Sequence, residues 1–189
     1  MNRTWFTSDL HLGHENIIRY CNRPFETARQ MDAAIIANWN AVVRPDDDIY
    51  VIGDFVQGAE RSAESYLSEL SGRKHLVAGN HDKHKTRKAS GWSSVNEYLE
   101  ISVDRTFVVL CHYGLRTWRR IGRGAVMLHG HSHGRLPGFS TPSGGGTCDV
   151  GVDCWNFQPT NVSQIQKRLK ELKPAGVFGQ EEGERGEDE

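Results

Sequence analysis

The sequence predicts an α/β fold built around a mixed β-sheet. Short apolar runs rich in Val, Ile, Leu and aromatic residues have the length and composition of buried strands. Other stretches carry apolar residues at the three-to-four spacing of helices. Early strands alternate with helices and later strands follow each other closely, so we expect the second half to be more hairpin-like. At 189 residues, the chain is expected to form one domain with a sizeable core.

Six segments are predicted as strands. Each is short and apolar, and Gly or polar residues follow it directly, which is typical of a strand that ends in a turn. In chain order they are Thr4–Ser8, Ile49–Ile52, Leu76–Ala78, Phe107–Cys111, Val126–Leu128 and Thr147–Val152.

Three segments are predicted as helices. The segment Gln30–Val43 carries an apolar stripe and ends before Pro45, because the residue preceding a proline is pushed out of the helical conformation. A second helix is predicted at Arg61–Leu70, with Gly72 after its end. A third is predicted from a capping box at Ser163–Gln166. Its buried stripe is formed by Ile165, Leu169 and Leu172.

The first five strand-like runs all end in residues whose side chains bind metal ions. Because ligands bind at the carboxyl ends of strands in α/β sheets, we expect these side chains to meet at one edge. They are Asp9, His11, Asp54, Asn80, His112, His131 and His133. Seven candidates are too many for one tetrahedral structural ion, and they suit two divalent ions that share a bridging carboxylate.

The chemistry of the candidate ligands limits which metal ions can bind. No Cys lies in the array, so a thiolate zinc site is not expected. Carboxylate, amide and imidazole ligands accept several divalent ions. We expect two such ions, with Mn²⁺ first and Fe, Zn²⁺ or Ni²⁺ as alternatives.

These motifs resemble those of the calcineurin-like metallophosphoesterase superfamily. The blocks Asp-x-His, Gly-Asp, Gly-Asn-His-Asp, an isolated His after a strand, and Gly-His-x-His occur in the order of that family between Asp9 and His133. The segment Ser8–Ile17 also resembles the opening of small bacterial and phage-type phosphoesterases. The resemblance implies a mixed sheet layered against a second sheet and flanked by helices, a four-layer arrangement.

The resemblance also implies a role for each ligand. One ion would be held by Asp9, His11, Asp54 and His133, and the other by Asp54, Asn80, His112 and His131. It implies that a metal-bridging hydroxide attacks phosphorus, while His81 faces the leaving group as a general acid or charge stabiliser. Many relatives carry an Asp that orients this His, but Gln57 stands at the matching position, which leaves Asp82 as an alternative.

Further residues near the ligands are candidates for substrate binding. His14 and Asn16 lie in the loop after the first strand, where they either contact substrate phosphate or only lie at the surface. Arg116 and Arg119 flank Trp118 directly after His112, in a segment that either grips phosphates or is a solvated loop. His129 is expected to support the site rather than to bind metal.

Composition and charge limit the classes that remain. A hydrophobic content of 37% and a charged content of 25% are ordinary for a globular protein, and no apolar run suits a membrane span or a signal peptide. A cytoplasmic location is therefore expected. We expect free thiols at the four Cys residues, with a Cys148–Cys154 disulfide as the alternative. Residues 1–174 are expected to form the phosphoesterase domain and residues 175–189 a disordered acidic tail.

The predicted function is phosphodiester hydrolysis on nucleotide or nucleic-acid-type substrates. The small size leaves little sequence for a cap, so we expect an open cleft that admits a diester. The alternatives are a phosphomonoesterase acting on small molecules or proteins, and a non-catalytic scaffold on the same fold. A metallo-β-lactamase fold would need His-x-His-x-Asp-His, and Gly130–Gly134 lacks the Asp. Neither a membrane nor an obligatory protein partner is expected.

Overall fold

Two five-stranded β-sheets lie face to face in a computed structural model that describes residues 3–172. Helices pack on the outer face of the first sheet, and a segment with a short 3-10 turn covers the outer face of the second. The predicted fold of a mixed sheet layered on a second sheet and flanked by helices is confirmed. The predicted acidic tail lies outside the described residues.

The first sheet has the strand order β10-β1-β2-β3-β4. Its strands are β1 (Thr4–Thr7), β2 (Asp48–Val51), β3 (Arg73–Val77), β4 (Trp92–Asn96) and β10 (Thr160–Asn161). Strands β1 to β4 are parallel to one another, and β10 pairs with β1 in the antiparallel sense. The three ligand-bearing strands β1, β2 and β3 therefore end at the same edge.

The second sheet has the order β5-β6-β7-β9-β8. Its strands are β5 (Tyr98–Val103), β6 (Thr106–Cys111), β7 (Val126–His129), β8 (Phe139–Ser140) and β9 (Gly146–Asp149). The β5–β6 and β8–β9 pairs are antiparallel, as expected for the hairpin-like second half. The central strands β6, β7 and β9 are parallel, so their carboxyl ends also share one edge.

Five helices complete the described chain. They are α1 (Glu15–Tyr20), α2 (Ala28–Val42), α3 (Ala63–Glu69), α4 (His84–Arg87) and α5 (Val162–Glu171). Helices α2 and α3 begin at Thr27 and Ser62, whose side chains accept hydrogen bonds from backbone N–H groups of the first turn. These two helices match the predicted segments within a few residues, whereas the short helices α1 and α4 are not predicted from the pattern.

The predicted capping box of the last helix is displaced by two residues. The box is formed by Asn161 and Gln164, not by Ser163 and Gln166. Asn161 already pairs with β1 as part of β10, which fixes where the helix can start. Gln166 instead donates a hydrogen bond to Thr106 of the second sheet. The predicted stripe is retained, since Ile165 and Leu169 are buried and Leu172 is half-buried.

A hydrophobic core fills the space between the sheets. Phe6 and Ile52 of the first sheet face Leu110 and Leu128 of the second, and all four are fully buried. Burying a side chain of this size stabilises the fold by roughly 1.5–3 kcal/mol. A second core joins the first sheet to α2 and α3, and Trp118 belongs to a third on the outer face of the second sheet. The two sheets are thus fixed relative to each other by apolar contact.

Polar contacts join the sheets at the edge where the ligand-bearing strands end. The backbone N–H of Val152 donates to the Ser8 carbonyl at 3.0 Å, and Nδ1 of His112 lies 2.8 Å from the Ile52 carbonyl oxygen. The carboxyl ends of β1, β2 and β3 and those of β6 and β7 therefore form one rim. All four cysteines are free, as predicted.

Two features of the strands differ from the prediction. The last predicted strand, Thr147–Val152, is shorter because the chain turns at Gly151 into a 3-10 turn at Val152–Cys154. Four strands are not predicted: β4 and β5, whose partly exposed sequences lack a continuous apolar run, and β8 and β10, which have only two residues each.

Candidate metal centre

The candidate ligands lie in the loops that follow β1, β2, β3, β6 and β7. Five of the seven have a positive φ between 48° and 64°, namely Asp9, His11, Asp54, His131 and His133. A residue with a Cβ atom in this left-handed region costs about 1 kcal/mol or more. Backbone hydrogen bonds hold the strained positions, including His11 N to the Asp54 carbonyl at 2.9 Å. Concentrated strain of this kind is typical of functional sites.

The first group of ligands consists of Asp9, His11 and His133. Each offers one ligand atom, and these atoms lie within 4.8 Å of one another. Nδ1 of His133 is 2.7 Å from Oδ2 of Asp153, which leaves its Nε2 for a metal ion. The rings of His11 and His133 are stacked with centroids 5.3 Å apart.

The second group consists of Asp54, His112 and His131, whose ligand atoms also lie within 4.8 Å of one another. Asn80 joins this group through its side-chain carbonyl. Its Oδ1 lies 3.1 Å from Nε2 of His112 and 3.1 Å from Nδ1 of His131. The structure therefore brings all seven predicted ligands to the rim, in the two sets that the motifs imply.

Asp54 stands between the two groups. Its Oδ2 lies 3.6 Å from Nε2 of His11 and 3.4 Å from Nε2 of His112. Its Oδ1 accepts a hydrogen bond from the backbone N–H of His81 at 2.9 Å. One carboxylate thus faces a ligand of each group, which is the position that a bridging ligand occupies.

The rim fits a divalent cation. Nε2 of His11 is buried and has no hydrogen-bond partner in the described chain. Leaving such an atom without a partner costs about 1–3 kcal/mol, and coordination of a cation would remove that cost. The donor set of carboxylate, amide and imidazole groups suits ions such as Mn²⁺, Fe²⁺ or Zn²⁺.

Burial and neighbouring charges set the proton affinity of the rim. Burial raises the pKa of Asp9 to about 7, and it lowers the pKa values of His11 and His131. Burial also disfavours the charged forms of Asp54 and His112. Their mutual hydrogen bond and opposite charges outweigh burial, so the pKa of Asp54 is lowered and that of His112 is raised to about 9. A cation that binds the second group must therefore displace a proton from His112.

A buried carboxylate holds two of the ligand loops in place. Asp82 accepts hydrogen bonds from the backbone N–H groups of Asp54, Phe55 and Gly79 at 2.8–3.0 Å. The sequence left open whether Asp82 orients His81, and the structure directs its side chain to these backbone groups instead. Asp82 thereby fixes the loops that carry Asp54 and Asn80.

Asp153 supports the first group in a way that the strand pattern does not reveal. It receives two hydrogen bonds at 2.8 Å from the buried guanidinium of Arg23, in addition to its contact with His133. Arg23 also donates to the backbone carbonyls of Asp9 and Leu10. A carboxylate that holds a ligating imidazole fixes both its tautomer and its orientation. The available sequence signal was only the position of Asp153 just beyond a strand that ends at the same rim.

Asp149 plays a corresponding part for the loop between His131 and His133. Its Oδ2 accepts hydrogen bonds from Ser132 Oγ at 2.7 Å and from the backbone N–H of Gly134 at 2.8 Å. Gln57 contacts a ligand rather than His81, since its Oε1 lies 3.1 Å from Nδ1 of His11. Gln57, at the position where the resemblance implies an Asp in many relatives, therefore holds the ring of His11.

Two motif glycines allow the ligands to approach the backbone. A Cβ atom at Gly79 would lie 2.4 Å from Oδ1 of Asp54, and one at Gly130 would lie 2.4 Å from Oδ2 of Asp9. Both distances are far below van der Waals contact, and at Gly130 the Oγ atom of Ser8 would lie closer still. The Gly-Asn-His and Gly-His-x-His motifs therefore require these glycines for close packing against the carboxylates.

The candidate substrate residues are not all at the rim. His81 is half-buried, its ring lies 5.5 Å from that of His11, and it belongs to neither ligand group. His14 lies beside His11 at 5.7 Å between ring centroids, and its Nδ1 is buried without a partner in the described chain. Asn16 accepts a hydrogen bond from Arg19 on its own helix. His81 and His14 are thus placed where a substrate could be contacted.

The arginine segment after His112 runs away from the rim. Arg119 forms an ion pair with Glu100 and lies over the ring of Phe107, near the opposite end of β6. Arg116 is exposed and makes no side-chain hydrogen bond or ion pair within residues 3–172. The structure therefore does not bring Arg119 to the ligands, because Trp118 and its neighbours pack along the outer face of the second sheet. His129 is fully buried and belongs to neither ligand group, and its Nε2 has no hydrogen-bond partner in the described chain.

Comparisons with known proteins place these motifs in a family. The profile of the family described as calcineurin-like phosphoesterase matches residues 2–144. An uncharacterised protein of Methanocaldococcus jannaschii is 29% identical over 180 residues, which cover 92% of this chain and 94% of the relative. The gene 66 protein of Mycobacterium phage D29 is 30% identical over 184 residues, covering 82% of this chain and 90% of the relative.

A solved structure supports the fold. A protein of unknown function from Aquifex aeolicus superposes with a TM-score of 0.66 and 24% sequence identity, covering 89% of this chain and 100% of the other. None of these three proteins carries a named activity. Between residues 3 and 172, no helix is long and apolar enough to cross a membrane.

Proposed function

Because this chain belongs to the calcineurin-like phosphoesterase family, we propose that it hydrolyses phosphodiesters at a centre of two divalent metal ions. The first ion would be held by Asp9, His11, Asp54 and His133, and the second by Asp54, Asn80, His112 and His131. When bound, the two ions supply the Lewis acidity that activates water and neutralises charge at phosphorus. Mn²⁺ is proposed first, and Fe, Zn²⁺ or Ni²⁺ are the alternatives.

The position of Asp54 is the observation that carries this proposal. Its Oδ2 faces a histidine of each ligand group at 3.4 and 3.6 Å, and its other oxygen is held by the backbone of His81. A carboxylate in this position can bridge two cations, because the backbone N–H of His81 holds it in one orientation. Two adjacent cations suit in-line displacement at phosphorus, since they can stabilise both the attacking and the leaving oxygen.

His81 is the proposed general acid. Its backbone N–H is used to hold Asp54, but its ring stands beside the first ligand group without belonging to it. A ring in this place can donate a proton to the departing alkoxide or stabilise its charge. Proton donation of this kind contributes about 10²–10⁴-fold in rate, and it matters most for poor leaving groups.

The openness of the rim favours a diester. Asn80 and His131 are exposed, and within the described part of the chain no further domain stands over them. An open rim admits a phosphate with substituents on both sides, such as a nucleotide diester or the end of a nucleic-acid chain. We propose that His14, whose Nδ1 has no partner among residues 3–172, contacts the substrate beside the first group.

The test compares bis-p-nitrophenyl phosphate with p-nitrophenyl phosphate in the presence of Mn²⁺. We expect faster turnover of the diester. Asp54→Ala should bind neither ion and show no activity, whereas Asp46→Ala, an exposed carboxylate away from the rim, should behave as the unmodified protein.

Two outcomes would decide against the proposal in different ways. Equal or faster turnover of the monoester would favour the phosphomonoesterase alternative. Bound Mn²⁺ without turnover of either ester would favour the non-catalytic scaffold.

A further inference from the structure

A cavity of about 400 Å³ lies at the end of the second sheet opposite the rim. Its lining includes three arginines, Arg105, Arg120 and Arg123, together with Phe107, Ser143 and Gln166. Arg105 precedes β6, which runs from the cavity to the rim and ends next to His112. With a rise of about 3.3 Å per residue, the six-residue strand separates cavity and rim by roughly 17–20 Å.

The three guanidinium groups are exposed, and within the described chain no carboxylate is hydrogen-bonded to any of them; Glu100 lies close enough to Arg120 to interact electrostatically, but its hydrogen bond goes to Arg119. Within residues 3–172, none of them makes a side-chain hydrogen bond or ion pair. The neighbouring Arg119 is different, because Glu100 accepts its hydrogen bond at 3.0 Å. Three cations around one cavity repel one another, and an anion bound between them would offset that repulsion by attracting all three.

The other polar groups of the lining are already engaged. Ser143 Oγ donates to the Ile121 carbonyl at 3.2 Å, and Gln166 Nε2 donates to Thr106 Oγ1 at 2.8 Å. Most free donors of the cavity are therefore the arginine N–H groups, of which each guanidinium carries five. A cavity with many donors and no free carboxylate acceptor is selective for anions.

Backbone strain is a second, independent observation at this cavity. Arg105 and Arg120 have φ values of 64° and 61°. The described chain has eleven non-glycine residues with positive φ, of which five are candidate metal ligands and two are these arginines. Gly or Asn would satisfy such positions at lower cost, and Asn-Gly is the usual choice in a two-residue hairpin turn such as that at Asp104–Arg105. Arg at both positions points to a requirement for the side chain.

One guanidinium is held in place before any ligand arrives. Arg120 lies over the ring of Phe107, with its Cζ atom 4.6 Å from the ring centroid. This cation–π contact restrains the guanidinium beside the ring, and its N–H groups make no hydrogen bond within the described chain. A planar fork with fixed orientation matches two oxygens of a phosphate group.

We propose that this cavity is a second anion site that binds a phosphate group, remote from the metal centre and independent of it. A tetrahedral dianion offers enough oxygens for three guanidinium groups, whereas a carboxylate offers two. The phosphate can come from a free mononucleotide or from the 5′-terminal phosphate of a nucleic-acid chain, since both are monoesters.

Binding of three probes tests the proposal on the full chain: inorganic phosphate, adenosine 5′-monophosphate and a labelled short oligothymidylate with a 5′-terminal phosphate. Each is titrated in Mn²⁺ and again in EDTA, because binding at the cavity persists in EDTA and binding at the rim does not. Arg105→Asn suits the left-handed backbone and is expected to fold at least as well as the unmodified chain. It is combined with Arg123→Gln, and Arg29→Gln on α2 is the matched control of an exposed arginine.

We expect the double variant to bind the phosphate-bearing probes at least about tenfold more weakly in EDTA, and the control to bind them unchanged. Hydrolysis of bis-p-nitrophenyl phosphate should be retained in all three proteins. If the oligothymidylate binds more tightly than the mononucleotide, with a steep salt dependence, the site is assigned to nucleic acid. If the mononucleotide binds as tightly as the oligothymidylate, the site is assigned to a free ligand. The absence of binding in EDTA, or equal binding by the double variant, would overturn the proposal.

Discussion

Replacement of Asp153 by Asn tests how the first group of metal ligands is positioned. The change keeps the shape of the side chain but replaces one oxygen by an NH₂ group. In Asp153, Oδ1 accepts a hydrogen bond from Arg23, whereas Oδ2 accepts one from Arg23 and contacts Nδ1 of His133. An amide turned toward His133 would donate to Nδ1, which forces the proton onto Nε2 and removes the lone pair that a metal needs.

Two magnitudes follow from the burial of this network. The side chain of Arg23 is 0% exposed and that of Asp153 is 10% exposed, so the charge of Arg23 would be left without its partner. Breaking a buried ion pair costs about 3–5 kcal/mol, and we expect the lower end because Arg23 keeps two backbone carbonyl acceptors. Loss of a carboxylate behind a ligating His lowers metal affinity by about 10–100-fold.

Titration calorimetry with Mn²⁺ and urea unfolding in EDTA measure the two effects separately. The control is Asp48→Asn, because Asp48 makes the same pair of contacts, with Arg73 and His75, at a more exposed place. It should cost at most about 1 kcal/mol and leave Mn²⁺ affinity unchanged. If Asp153→Asn bound Mn²⁺ as tightly as the unmodified protein, the argument that Asp153 positions His133 would be refuted.

Three further predictions concern the rim itself. Gly79→Ala should lose metal from the second group while remaining folded, because the new Cβ would displace Asp54. Gly58→Ala meets no atom within 4 Å and adds only the backbone strain of its φ of 68°, so it should keep its metal; elemental analysis after dialysis distinguishes the two variants. His81→Asn retains the backbone N–H, so it should keep its metal. It should slow hydrolysis of an alkyl phosphodiester by about 10²-fold or more but slow nitrophenolate release far less, and equal losses on both substrates would contradict the role of His81 as an acid. Because the pKa of metal-free His112 is raised to about 9, a cation competes with the His112 proton below that pH. Metal affinity at the second group should therefore rise with pH by up to about tenfold per unit and level off above pH 9. A metal affinity that stays constant from pH 6.5 to 9 would contradict this prediction.

The sequence predicts those parts of the site that depend on the pattern of apolar residues along the chain. A strand of four or five apolar residues followed by a ligand is visible in sequence, and parallel strands bring such ligands to one edge. Asp54 and His131 lie on different sheets, and their meeting follows from the way the two sheets pack at the rim. That part rests on the resemblance to the family, since periodicity alone gives only an α/β fold.

The supporting residues could not be assigned for a physical reason. Asp82, Asp149 and Asp153 act through hydrogen bonds to backbone groups and ligands that are distant in sequence, and no local pattern encodes such partners. The position of Arg119 away from the rim could not be predicted for a similar reason. Adjacency to His112 places it near the rim in sequence, but the burial of Trp118 draws the segment along the outer face of the second sheet.

The left-handed conformation of five ligands has a consequence for the history of such proteins. At each of these positions, Gly or Asn would suit the backbone better than the residue that binds the cation. A homologue that no longer needs the cation can therefore accept Gly or Asn at these positions and lose the backbone strain. Its thermal stability would then say nothing about retained chemistry.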